Sequence, residues 1–169
     1  MKTLVITCLA LSLTGCVSTP EHTHLSAPDP LFSPAEFFSG RTTGEGQLNI
    51  IFGAAEPIHV TGNGHVEADG TLVLVQRIQR GDDAPTIRTW RIRPAGGERY
   101  SGTLTSAQGP VAGEVSGNRL HLRFTADGGL DTEQWLYLEP GGRAALNRMV
   151  VRKFGLPVAA LEETIRKTD

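Results

Sequence analysis

Cysteine is almost missing from this chain: Cys8 and Cys16 are the only two. Cys8 lies in a segment read below as a removable leader, which leaves Cys16 alone. That excludes an internal disulfide framework and any metal or redox centre built on a cysteine pair. Aromatic residues make up only 6% of the chain, and Phe52, Trp90, Tyr100, Phe124, Trp135, Tyr137 and Phe154 are the only ones available to strand-like segments. An interior with so few rings can be hollow or filled by aliphatic side chains. Neither charge sign dominates, with 16 Lys and Arg against 18 Asp and Glu. This balance argues against a nucleic-acid binder and against a polybasic membrane contact. The chain also lacks a Gly-X-Ser-X-Gly elbow, a His-Glu-X-X-His pair and a phosphate-binding glycine loop. With no catalytic motif the expectation is a protein that is not an enzyme and that needs no cofactor or metal.

The longest apolar run, Leu4 to Leu13, follows Lys2 and is too short to span a bilayer as a helix. A positive residue near the start, a short apolar stretch and small residues at its end make a secretory leader. Leu13, Thr14, Gly15 and Cys16 resemble a bacterial lipobox, which implies cleavage after residue 15 and acylation of Cys16. At roughly 0.8 kcal/mol per buried methylene, two or three acyl chains hold a protein to a membrane permanently. Val17 stands where an Asp often marks retention in the inner membrane, so the expected place is the outer membrane of a Gram-negative envelope, facing the periplasm.

Residues 16–36 read as a lipidated N-terminus and flexible linker, because Pro20, Pro28, Pro30 and Pro34 are scattered among Ser, Thr and His without apolar periodicity. His22 and His24 share a side of an extended chain, but with no further ligand nearby they read as solvated linker rather than a metal site.

From Phe37 to Asp169 the chain reads as one domain. Turn signals recur at Gly53 to Pro57, Asp69 and Gly70, Gly81 to Asp83, Ala95 to Gly97, Gln108 to Pro110, Gly117 and Asn118, Asp127 to Gly129, and Pro140 to Gly142. The segments between them have the length of strands in an antiparallel meander. Arg119, His121 and Arg123 alternate with Leu120, Leu122 and Phe124, which defines a half-buried strand. Gly62 and Gly64 are expected to mark a bulge or sharp bend. About eight to ten strands with no room for crossover helices favour an all-β, up-and-down closed barrel over an open sheet. After Pro157 the period changes: Val158, Leu161 and Ile165 share a helical face, and Glu162 and Arg166 are spaced as an i,i+4 pair. The expectation there is a short C-terminal α-helix.

The polar residues offer few constellations. His59, His65 and His121 fall on separate strands, and Glu67, Asp69, Glu114 and Glu133 lie near turns. More informative are the in-strand arginines Arg77, Arg88, Arg91, Arg93, Arg148 and Arg152. Alternation puts Arg88, Trp90 and Ile92 on one face and Arg91 and Arg93 on the other, so at least one guanidinium shares a face with a ring. Arg88, Trp90, Arg91, Trp135 and Arg148 are therefore the candidates for contacting a ligand or closing the barrel. A planar guanidinium at the mouth of an apolar cavity suits the carboxylate or phosphate of a lipid, while an arginine stacked on tryptophan would only close the barrel end. The partners expected are a membrane, through Cys16, and a hydrophobic or amphiphilic ligand such as a fatty acid. The competing expectation is a side-chain-filled module for protein interaction in envelope maintenance.

Several residues recur in a familiar order: Phe38 with Gly40, Gly44 with Gly46, Phe52 with Gly53, Arg88 with Trp90 and Ile92, Tyr100 with Gly102, Trp135 with Tyr137, and Asn147, Arg148, Lys153, Phe154 and Gly155. In order and spacing they resemble the bacterial lipoproteins of domain-of-unknown-function family 3833, over nearly all of the chain from Phe37 onward. The resemblance implies a lipocalin-like, calycin-type barrel. Gln134 stands where that pattern often has an acidic residue before the second tryptophan, and Gln76 and Ile78 stand where Glu and Phe are common.

Overall fold

A computed structural model describes residues 25–169; the leader, Cys16, His22 and His24 lie outside the described residues. Among the described residues the chain forms a helix, α1 (Pro34–Phe38), and ten strands: β1 (Gly40–Ile50), β2 (Glu56–Val66), β3 (Leu72–Arg80), β4 (Thr86–Pro94), β5 (Arg99–Leu104), β6 (Val111–Ser116), β7 (Arg119–Ala126), β8 (Leu130–Leu138), β9 (Ala144–Lys153) and β10 (Leu156–Lys167). Each strand pairs antiparallel with the next, and β1 pairs with β10 from Thr42 opposite Lys167 to Ile50 opposite Ala159. The meander thus closes on itself, which removes the sheet edges that would otherwise invite pairing with another chain. Alternation decides what faces inward: on β7, Leu120, Leu122 and Phe124 are buried while Arg123 is exposed.

Two local expectations are corrected. The segment after Pro157 is strand β10, paired with β9 and β1 along its length. Its burial is not helical: Leu161, Glu163 and Ile165 turn inward and Glu162 and Arg166 outward. A register shift between Pro157 and Ala159 breaks the simple alternation at the start of the strand. Gly62 and Gly64 sit in unshifted ladders with β1 and β3, so they form no bulge. What they provide is close approach. A Cβ on Gly64 would collide with the Phe38 carbonyl, and one on Gly62 would press on Thr42 and Leu74.

The helix lies at the other end of the chain from the expected one. Ser33 caps α1 by accepting from the Glu36 amide at 3.3 Å, and Pro34 occupies its first turn, where a missing N–H costs nothing. The C-terminal carbonyls of Glu36, Phe37 and Ser39 accept from Lys167 Nζ at 2.9, 3.2 and 2.8 Å. Phe37 and Phe38 meet edge to face at 4.9 Å, with Phe32 5.5 Å from Phe37. All three rings are buried and plug one end of the barrel. The expected linker is therefore packed in its second half. Asn118 binds Ala27 through both backbone and side chain and donates to the Leu25 carbonyl, while the Phe32 amide donates to the Gly117 carbonyl. Burial of Phe32 together with these bonds outweighs the conformational freedom the prolines and serines suggested.

At the opposite rim, the β1–β2 and β9–β10 connections carry Phe52 and Phe154 at φ 59° and 51°. Their side chains are 88% and 92% exposed.

Candidate functional site

The inward residues are not uniformly apolar. On β3, Gln76 lies between Leu74 and Ile78; on β9, Asn147 lies between Ala145 and Met149; on β10, Glu163 lies between Leu161 and Ile165. In each case the residue on one side belongs to the larger apolar cluster, next to the aromatic plug, and the residue on the other belongs to a smaller cluster around Leu48, Ile58, Val60 and Leu161. A polar layer therefore crosses the barrel between two apolar ones. Arg88 joins it opposite Gln76, and Asn147 stands opposite Glu163. Gln134 reaches it from β8.

Within the layer, one wall is rich in donors. Gln76 Oε1 accepts from Arg88 Nε at 2.8 Å and from Trp90 Nε1 at 2.7 Å. The Arg88 guanidinium lies 5.3 Å from the centre of the Trp90 ring, whose other neighbour is the edge-on ring of Phe124 at 5.4 Å. Burial pushes the Arg88 pKa down to about 10, opposed by the carboxyl of Glu163. Arg88 therefore stays charged at neutral pH.

The facing wall is rich in acceptors. Asn147 Nδ2 donates to Glu163 Oε2 at 2.8 Å, and Glu163 is 5% exposed. Burial raises the pKa of its carboxyl, while the Asn147 bond and the charge of Arg88 work in the other direction. Gly44 leaves the space that this carboxylate fills. Among the described residues, Asn147 Oδ1 and Gln134 Oε1 are both buried without a hydrogen-bond partner. Such groups normally find one.

Gln76, Arg88, Gln134 and Glu163 line a single void, whose remaining wall is apolar and runs past Trp90 and Leu136 to Phe38. Its free space gives the centre of a water-sized sphere about 20 Å³, enough for one water or a group of that size.

Of the residues expected at a site, the barrel brings Arg88 and Trp90 together inside. Arg91 faces outward and pairs with Glu67 Oε2 at 2.5 Å. Trp135 lies on the outer wall, stacked on His121 at 4.8 Å and 11°. Arg148, its register partner on β9, also faces outward, with Nη2 3.7 Å from Glu162 Oε2. Glu133 bridges His121 and Arg152 on the same wall, and Asp69 caps the Thr71 amide. Among the described residues no group of three His, Cys, Asp or Glu side chains could hold a metal ion. Sequence reasoning missed Gln76, Gln134, Asn147 and Glu163 as a set. For Gln76, Asn147 and Glu163 the one sequence signal is a polar residue at an inward position between two apolar ones; Gln134 follows the inward Thr132 on β8.

The ten-strand closed meander, with its short helix at one end, is a lipocalin-like, calycin-type barrel. Among solved structures it is similar to the S-type phycobiliprotein lyase from Guillardia theta, with a TM-score of 0.65 at 8% identity, over 79% of this chain and 90% of that one. At that identity the likeness is one of fold. The chain belongs to the family described as protein of unknown function (DUF3833), which it matches over residues 10–167. No curated protein matches it.

Proposed function

We propose that this chain is a lipid-anchored envelope protein whose barrel binds a small amphiphile, a fatty acid or lipid. The polar head sits in the layer of Gln76, Arg88, Gln134, Asn147 and Glu163, and the tail lies along the apolar wall toward Phe38. The observation that carries this reading is the incomplete satisfaction of the void's polar lining: a charged guanidinium on one wall and, on the other, the buried Gln134 oxygen with no donor among the described residues. Leaving such groups unmet costs about 1–3 kcal/mol each, and a ligand head group removes that cost. The role is binding without catalysis, because no nucleophile with a neighbouring base faces the void. The anchor is acylated Cys16, at the outer membrane facing the periplasm.

A second reading is favoured by the size of the void. Small-molecule pockets hold roughly 300–1,000 Å³, so a tail needs the Phe38 plug to give way; a barrel that stays closed is a side-chain-filled interaction module instead. Native mass spectrometry of mildly purified mature chain, with displacement of a fluorescent fatty acid, separates the two. Co-purifying lipid and saturable displacement support the ligand, whereas a consistently empty protein that displaces nothing supports the filled module. Separately, Cys16→Ser should move the protein from the membrane fraction to the soluble one. Continued membrane fractionation of that variant would overturn the anchor.

A further inference from the structure

The polar layer is unbalanced in a way that selects among amphiphiles. Arg88 carries five N–H donors. Only Nε has an acceptor among the described residues, and that acceptor, Gln76 Oε1, is already shared with Trp90. Across the same void Gln134, 6% exposed, presents an acceptor with no donor. Asn147, whose Nδ2 donates to Glu163, lies behind that carboxyl and does not line the void. A simple carboxylate would serve Arg88 and leave the Gln134 oxygen unmet. A head with an anionic oxygen and a hydroxyl a few bonds apart serves both Arg88 and Gln134, which line the same small void.

Resting on the binding reading above, we infer that the barrel selects hydroxylated fatty acids, with the carboxylate on Arg88 and a hydroxyl α or β to it donating to Gln134 Oε1. Burial of the Glu163 carboxyl, which favours its neutral form, lessens repulsion toward a second carboxylate in the layer.

The test uses the mature chain and competition against a fluorescent fatty acid by three probes: β-hydroxymyristate, myristate and methyl β-hydroxymyristate. The expected order places β-hydroxymyristate about tenfold tighter than myristate, equivalent to about 1.4 kcal/mol and close to the effect of one hydrogen bond. The methyl ester should bind weakest. Gln134→Leu should bring the two free acids closer together in affinity, and Arg88→Met should erase the preference for acid over ester. Equal affinities of wild-type protein for myristate and β-hydroxymyristate would overturn the selectivity while leaving the binding reading standing. Failure of all three probes to bind would overturn both. The wild-type ratio needs no variant to fold, so an unstable Gln134→Leu does not rescue the proposal.

Discussion

Replacing Gly64 by alanine should dislodge the aromatic plug while leaving the polar layer untouched. Gly64 has no left-handed φ, so alanine meets no backbone penalty there. The new methyl group would instead overlap the Phe38 carbonyl oxygen and sit 3.0 Å from its carbon. Backbone cannot rotate out of the way as a side-chain tip can, so the end of α1 must shift by something on the order of 1 Å in a close-packed setting. Forced overpacking of this kind costs about 1–3 kcal/mol. The shift also stretches the bonds from Lys167 Nζ to the carbonyls of Glu36, Phe37 and Ser39, now 2.8–3.2 Å. One of these bonds is exposed and two are part-buried, and they are discounted to about 1 kcal/mol together. A total of about 2–4 kcal/mol is a large part of a typical stability of ~5–15 kcal/mol. In urea it should lower the unfolding midpoint by about 1–2 M. The matched control is Gly113→Ala, whose methyl would lie 3.1 Å from Leu122 Cδ2 and Tyr100 Cβ, a milder approach that needs a shift of only a few tenths of an ångström, for about 1 kcal/mol. If Gly64→Ala unfolds at the same urea concentration as Gly113→Ala, the plug is not held where its contacts say.

Two further outcomes follow from the same geometry. Glu163 has a raised pKa when folded, so the native state holds its proton more tightly than the unfolded chain does. Its contribution is fully present below the unfolded value and is lost as pH rises through the folded one. Glu163→Gln keeps an acceptor for Asn147 and removes that loss, so thermal melts at acid and neutral pH should diverge less for the variant; parallel curves for the two proteins would refute it. Phe154 precedes Gly155 in a hairpin tip at φ 51°, a conformation that costs a bulky residue about 1–2 kcal/mol and that Asn tolerates. Its ring is 92% exposed, with only Lys153 over it, a contact worth about 0.5 kcal/mol. Phe154→Asn should therefore raise the melting temperature, by an amount corresponding to about 0.5–1 kcal/mol, and a lower one would mean the tip is held by contacts not seen in the free chain.

Turn chemistry made most of this fold readable. Gly-rich and Asp-Gly connections sit at strand ends because only such residues take the left-handed backbone the hairpins need, as at Gly70 and Gly128. The Phe154-Gly155 turn escaped notice because its first residue breaks that rule. With the turn missed, β10 also lost its signature: Glu163 interrupts the inward apolar series and the Pro157/Ala159 register shift displaces it, leaving Val158, Leu161 and Ile165 at spacings that imitate a helix. The candidate site was half readable. Alternation correctly grouped Arg88 with Trp90 and separated Arg91. It had no means of saying that Trp135 and Arg148 face outward, since both lie on strands where buried residues alternate with only partly exposed ones.

The glycines and the polar layer are one device. A barrel of ten strands is wide enough to hold a ligand, yet this one is nearly closed: Gly44 leaves β1 room for the Glu163 carboxyl, and Gly62 leaves β2 room for the inward side chains of Thr42 and Leu74 on the neighbouring strands. Narrowing brings Arg88 and Gln134 to the rim of one small void, so a head group bound as we propose would meet a short polar gap and not a roomy cavity. Its tail would then have one apolar direction available, toward Phe38. That plugged end is also where Asn118 holds Leu25, and nine residue-to-residue steps, at most about 31 Å of extended chain, separate Leu25 from Cys16. If Cys16 carries the anchor, the end of the barrel that must yield to a tail is the end kept closest to the membrane.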